Sequence, residues 1–361
     1  MSAESHYLNA LEALDEGDRD RAKSEAKKAT SLDPEHLEAW TVYVDACLPP
    51  QGMPPTMAQA AQALSAVKNI VAADPSRMDM WVRGGRLMAD DLGMLHDALH
   101  WWQACREIAP REVTPVVEMA SILADMGEYT EAQLRLQSIL DDNMDVGMTQ
   151  FRKINGLLQL VRAAAAQQQE DIFKPYEKHH NGWEAIRQKM RKPPMSENFI
   201  FLITAVPILL ILVVMLQGIG EPSLATLCLN TLVILIVIMV CMRNAKRWFQ
   251  IINRPAFNLL RAMNFEAATG YTVLDEEIRT SVLYMYIMQR KPTSWQERML
   301  KIIDNGKSLP KNWRLRLPDF ESHVDADGHI PIEEGPVRGL RRRVIRATAG
   351  PIDSIIFGVL G

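Results

Sequence analysis

Two uninterrupted apolar runs stand back to back in the second half of the chain, residues 198–217 and 223–242, separated only by Gly218-Ile219-Gly220-Glu221-Pro222. Each is about 20 residues long, the length at which an α-helix crosses the hydrocarbon core of a bilayer. No Asp, Glu, Lys or Arg falls within either run. The pattern predicts a two-helix transmembrane hairpin. Lys189, Arg191 and Lys192 precede the first run, Arg243, Lys246 and Arg247 follow the second, and the connecting turn has no Lys or Arg. The positive-inside rule then puts both long flanking segments in the cytoplasm, as an integral two-pass protein. The first twenty residues are polar and acidic, so no cleavable signal peptide is expected.

Charge is unevenly spread. Residues 1–150 hold 12 Lys/Arg against 25 Asp/Glu, whereas residues 243–361 hold 19 against 13. An acidic head and a basic tail fit a tail held at anionic headgroups and a head projecting away from them. The basic balance is too diffuse to argue for nucleic acid. Cys47, Cys105, Cys228 and Cys241 are scattered, with no Cys-x-x-Cys spacing, and read as reduced thiols.

Residues 1–145 carry a self-similar pattern with a period near 34. One unit has a break at Glu16-Gly17-Asp18 and ends Ala22, Ala26, Ala29, Asp33-Pro34. The next opens at Trp40 and closes with Ala63, Val67, Ile70, Asp74-Pro75. A third runs from Trp81 through Ala98, Trp102 and Cys105 to Pro110, and a fourth has Ala120, Gly127, Ala132, Leu136 and Ile139. Small residues let paired helices approach, glycine permits the turn, and proline stops the second helix. This pattern resembles the tetratricopeptide-repeat (TPR) family, whose units are helix–turn–helix pairs of 34 residues. Residues 48–56, with four prolines, interrupt the second unit as an exposed loop. Phe151, Ile154, Leu158, Val161 and Ala165 share one helical face, which predicts a capping helix within 146–170, followed by a tether over 171–197 with one short helical stretch.

The resemblance implies a groove lined by the first helix of each unit. By family register it places Tyr7, Glu38, Thr41, Asp45, Asp79, Arg86, Val117 and Ser121 along that groove. Three carboxylates among them favour a basic or polar peptide as partner. One subfamily clamps a C-terminal carboxylate with Lys and Asn, but Tyr7, Leu11 and Val42 stand at those places and only Arg83 matches, so that mode is excluded.

Within the spans, Pro207 predicts a kink. Asn230 is an amide at membrane depth and a candidate contact with another helix, either in a second copy or in a membrane-protein partner, with local bonding to its own helix as the alternative. The absence of ionisable groups argues against a transporter built from these spans alone. Residues 243–265 alternate basic and apolar side chains and predict an amphipathic interfacial helix, with Trp248 at headgroup depth; packing on the following domain is the alternative. Residues 271–334 predict a small, mostly helical domain, with helices near 274–289 and 295–303 and a short strand over 313–317. Residues 323–334 resemble an EF-hand loop at five places, yet His323 at the first ligand position and Pro318 ahead of it disfavour calcium, and an Asp-Gly turn is the plainer reading. Residues 335–361 predict a basic helix and an apolar tail, with Arg341, Arg342 and Arg343 joining Arg243, Lys246, Arg247 and Trp248 at the membrane surface.

No phosphate-binding glycine loop, nucleophile elbow or Ser/His/Asp set is present. His96 and His100 read as a surface pair without a third metal ligand. The expectation is therefore an all-α chain without cofactor or metal, a TPR-like solenoid followed by a transmembrane hairpin and a small C-terminal region. Its expected role is a scaffold that binds a protein partner on the cytoplasmic face. An accessory subunit of a membrane transport or translocation complex, and a membrane-bound enzyme with its site in 271–334, are the alternatives.

Overall fold

A computed structural model describes residues 2–50, 52–142, 144, 146–167, 171–217 and 224–320. Their regular secondary structure is helical, with no strand among the described residues. The first eight helices are α1 Ala3–Asp15, α2 Arg19–Leu32, α3 Leu37–Cys47, α4 Met57–Ala73, α5 Met78–Arg86, α6 Leu95–Ile108, α7 Val113–Met126 and α8 Tyr129–Asp141, and each packs on the next in sequence. Their starts are chemically marked. Ser2, Asp18 and Thr56 accept from amides of the first turn, and Thr56 and Gln59 close a reciprocal capping box.

One turn is built twice. Asp33 and Asp74, 41 positions apart, each end a helix in an extended conformation and accept from the amide two residues on, at 3.1 and 3.0 Å. Six residues after each following proline, an indole closes the turn: Trp40 Nε1 donates to the Pro34 carbonyl and Trp81 Nε1 to the Pro75 carbonyl, both at 2.9 Å. The spacing exceeds 34 because the proline-rich loop lies between the two turns.

Small side chains set the helix spacing. Ala10, Ala26 and Val42 form one buried cluster beneath Tyr7, Leu11, Leu14 and Tyr43. Ala13, Ala22 and Ala46 form another. On α5, Gly84 and Gly85 lie directly under Trp101 and Trp102; a Cβ on Gly85 would fall 2.1 Å from the Trp102 ring. Beyond α5 the helix widens into a π-type turn, Leu87–Asp91, closed by Leu92 N donating to Leu87 O at 3.0 Å.

Of the described residues, 2–158, 262–274 and 291–320 form one compact unit, and 159–261 with 275–290 form a second. The first unit thus includes α15 Thr293–Asn305, far along the chain from the repeats. Ser294 N donates to Pro55 O at 3.1 Å, Ser294 Oγ donates to Asp91 O at 2.7 Å, and Met57 N donates to the Glu297 carboxylate at 2.8 Å. The fully buried Trp295 lies against Gly93, whose φ of +65° only glycine adopts freely. The proline-rich loop, expected to be exposed, is therefore one of the docking points of α15, with Pro55 buried.

The second unit contains α10 Asn181–Lys189, α11 Glu197–Gln217, α13 Glu276–Arg279 and α14 Val282–Met288. Helix α12, Leu224–Thr269, runs unbroken for 46 residues and contributes to both units, whereas α9, Met148–Ala165, stands where the capping helix was expected. Both α11 and α12 are long and apolar enough to cross a membrane.

Several expectations change. Residues 171–197 carry the short helix expected there as α10, but the segment is packed rather than a free tether: Phe173, Trp183 and Ile186 are buried, with edge-on contacts of Phe173 to His180 and Trp183 at 5.4 and 5.0 Å. Residues 243–265 are not a separate interfacial helix: α12 continues through Arg243 and even through Pro255. Asn253 and the stretch 256–263 of α12 are buried in protein. Residues 271–320, the described part of the domain expected over 271–334, divide between the units at 274 and 291. The helix expected near 274–289 breaks where Ser281 caps α14 by accepting from Tyr284 N at 3.1 Å. Residues 313–317 form no strand, since an alternating segment without a partner cannot satisfy its backbone. The segments 323–334 and 335–361, with Arg341, Arg342 and Arg343, lie outside the described residues.

Candidate functional site

The expected groove residues lie on α1, α3, α5 and α7, and side-chain contacts link α1 to the start of α3 and α3 to α5. The Tyr7 ring lies 4.8 Å from that of His36, which precedes α3. His36 Nδ1 accepts from Ala39 N at 3.2 Å, so its proton sits on Nε2, which donates to Glu4 at 3.1 Å. Glu38 is exposed, 3.4 Å from His36. Thr41 turns its hydroxyl inward to Leu37 O at 3.0 Å. Asp45 pairs with Arg83, joining α3 to α5. Asp79 receives Nε and Nη2 of Arg77 at 2.9 and 2.8 Å, and these hydrogen bonds hold its carboxyl below the usual range. Arg86 is exposed on α5, and Val117 and Ser121 are half-buried on α7.

Two of the three carboxylates expected to attract a basic partner are thus taken by arginines of the same face. The stronger demand for positive charge lies one step along, at the π-type turn. Burial raises the Asp90 carboxyl against the pull of Arg86 and Lys291. Asp91 is pushed up to about 6, by burial first and by Asp90 second. Glu118 on α7 is raised by burial and then by Asp90, with Arg86 opposing. Lys291, which precedes α15, donates to Asn264 Oδ1 at 2.9 Å and sits 5.1 Å from the centre of the Trp295 ring. Burial brings its amine down to about 8, against Asp125 and Asp90.

This group holds carboxylates that are desolvated and mutually repulsive, so an added cation would stabilise their ionised forms. Among the described residues no three His, Cys, Asp or Glu side chains are arranged to hold a metal ion. Sequence reasoning reached Arg86, Val117 and Ser121 but missed Asp90, Glu118, Asp125 and Lys291. The helical spacing of Arg86 to Asp90, and of Glu118, Ser121 and Asp125, was available as a signal. Lys291 and Asn264 had none, because they arrive from distant segments.

His96, read as a surface residue, is half-buried near Ala268, and burial lowers its pKa, whereas His100 is exposed. Cys47, Cys105 and Cys241 are buried, Cys228 is exposed, and all four are free thiols. Burial pushes Cys105 up to about 12. On α12, Asn230 is half-buried, and Arg243, Lys246, Arg247 and Trp248 are exposed. No family model and no curated protein matches the chain.

Proposed function

We propose that this chain is a membrane-anchored adaptor whose TPR-like solenoid binds a basic segment of a protein partner on the cytoplasmic face. The observation that carries the reading is the linked face of first helices, from Tyr7 and His36 through Asp45 and Arg83 to Arg86, Asp90 and Glu118. It ends in carboxylates whose raised pKa values a bound Lys or Arg would lower. The hairpin of α11 and α12 is supported by the make-up of the first unit. Pro55 and Met57 precede both apolar helices, Ser294 and Glu297 follow them, and the four are hydrogen-bonded together. This pairing favours both flanks on one side of a membrane, in keeping with an even number of crossings. Tethering then raises the local concentration of the partner, so that modest affinity gives useful occupancy.

The test uses the full-length protein in its native membranes, with a photo-crosslinking residue at Ser121. The expected product is a protein crosslinked through a Lys/Arg-rich peptide. Asp90→Asn with Glu118→Gln should reduce its yield about tenfold, the effect of losing one charged contact of roughly 1.4 kcal/mol. Unchanged capture in the double variant would sink the reading. Capture confined to a crosslinker at Asn230, and of integral membrane proteins, would favour a subunit of a membrane complex instead.

A further inference from the structure

The first turn of α11 and the middle of α12 border an open recess of about 520 Å³, within the size range of small-molecule sites. It is lined by Glu197, Asn198 and Phe201 from α11 and by Met239, Met242, Arg243, Ala245 and Lys246 from α12. The place is built rather than incidental. Just before α11, Met195 N donates to Asn253 Oδ1 at 3.0 Å, and Asn253 Nδ2 donates back to Met195 O at 2.8 Å, with Asn253 buried. That paired amide contact pins the entry of α11 against α12. Ser196 Oγ then accepts from Phe199 N at 3.2 Å and begins the helix.

The lining has two kinds of surface. Phe201, Met239 and Met242 belong to the apolar runs, while Arg243 and Lys246 are the first cations after the second run. Asn198 adds an amide, and Glu197 one carboxylate. The charged side chains together carry one net positive charge at the level where the apolar runs end. A wall of apolar side chains below two cations matches a glycerophospholipid, with its phosphate above and the start of an acyl chain below.

We propose that this recess binds one anionic glycerophospholipid, its phosphate between Arg243 and Lys246 and its chain along Phe201 and Met239. The single negative charge of such a lipid neutralises the net charge of the lining, and Glu197 accepts from headgroup hydroxyls. The proposal rests on the membrane anchorage argued above and names a lipid for one place in it. A diffuse basic surface would attract anionic lipids without choosing a site; the recess holds one.

The experiment reconstitutes the full-length protein in bilayers of phosphatidylcholine and phosphatidylglycerol in equal amounts. The protein is extracted with mild detergent and the retained lipids are counted by native mass spectrometry. The wild-type protein is expected to keep phosphatidylglycerol in preference to phosphatidylcholine. Arg243→Gln with Lys246→Gln should reduce that preference about thirtyfold, the effect of two cations at headgroup depth. Arg191→Gln with Lys192→Gln removes the same charge from exposed positions off the recess and should leave the preference intact. Equal retention of the two lipids by the wild type, or equal loss in both double variants, overturns the site. Displacement by free glycerol phosphate would assign the recess to a soluble phosphoester and overturns the lipid assignment. Flotation of the same samples separates the two claims. Protein that does not float with the bilayer refutes the anchorage, whereas floating protein without lipid preference refutes only the recess.

Discussion

Gly93 and Gly17 both have left-handed backbones, with φ of +65° and +81°, but their surroundings differ. A Cβ at Gly17 would meet nothing within 4 Å. A Cβ at Gly93 would fall 2.4 Å from Trp295 Nε1 and 3.0 Å from the Ala267 Cβ. Gly17→Ala should therefore cost only the left-handed strain, about 1–2 kcal/mol. Gly93→Ala should add the overpacking of a fully buried indole, typically about 1–3 kcal/mol more, for a total of about 2–5 kcal/mol. In a unit of this size each kcal/mol lowers Tm by roughly 2–4 °C. The assay is thermal unfolding of the full-length protein in detergent, followed by tryptophan fluorescence. Trp295→Leu should relieve the Gly93→Ala penalty and leave the Gly17→Ala penalty unchanged, a coupling that a double-mutant cycle reads directly. Equal losses for the two glycine variants, or no relief by Trp295→Leu, would refute the docking of α15 beside the repeats.

Other outcomes follow from the charged group and the helix entry. With its pKa near 8, Lys291 should show a labelling rate by an acylating reagent whose midpoint lies near pH 8. An ordinary lysine is only about 0.4% neutral at that pH, so a midpoint above pH 10 in peptide mass spectrometry would contradict the burial of this amine. Asp91 takes up a proton more readily folded than unfolded, so its favourable contribution is fully present below about pH 4 and is lost as pH rises through about 6. Asp91→Asn should accordingly flatten the pH dependence of denaturant unfolding between these limits, and an unchanged slope would count against the raised carboxyl. Asn253→Ala leaves Met195 N and O without their partners and should cost about 1–3 kcal/mol, seen as faster proteolysis at 191–196 in detergent. Unaltered cleavage there would mean that the amide pair does not hold the entry of α11.

The parts of the fold legible in the sequence are those whose cause is local. Asp33-Pro34 with Trp40, and Asp74-Pro75 with Trp81, announce a turn because every group that closes it lies within eight residues. The two apolar runs announce their helices by length alone. The change from apolar to basic residues at Arg243 was read as a boundary, but helical hydrogen bonding is indifferent to that change and α12 continues. The return of residues 262–274 and 291–320 to the repeats was illegible for a different reason. Trp295 meets Gly93 and Ser294 meets Pro55 across some 200 positions, and such partners leave no periodic trace in either segment. The charged group shares this origin: α5 and α7 carry its acids in plain helical spacing, while Lys291 and Asn264 come from elsewhere.

The split make-up of the first unit also imposes an order on synthesis. Residue 158 leaves the ribosome well before residue 320, and at about 5–20 residues per second the delay is about 10–30 s. Throughout that interval the repeats stand without Trp295 beside Gly93 and without Lys291 near Asp90 and Asp125. Both apolar helices must be made before α15 can close over Pro55 and Asp91. A chain cut short before residue 291 never completes its first unit. Loss of the last described segment thus leaves the helices made first without their closing contacts at Gly93 and Asp91.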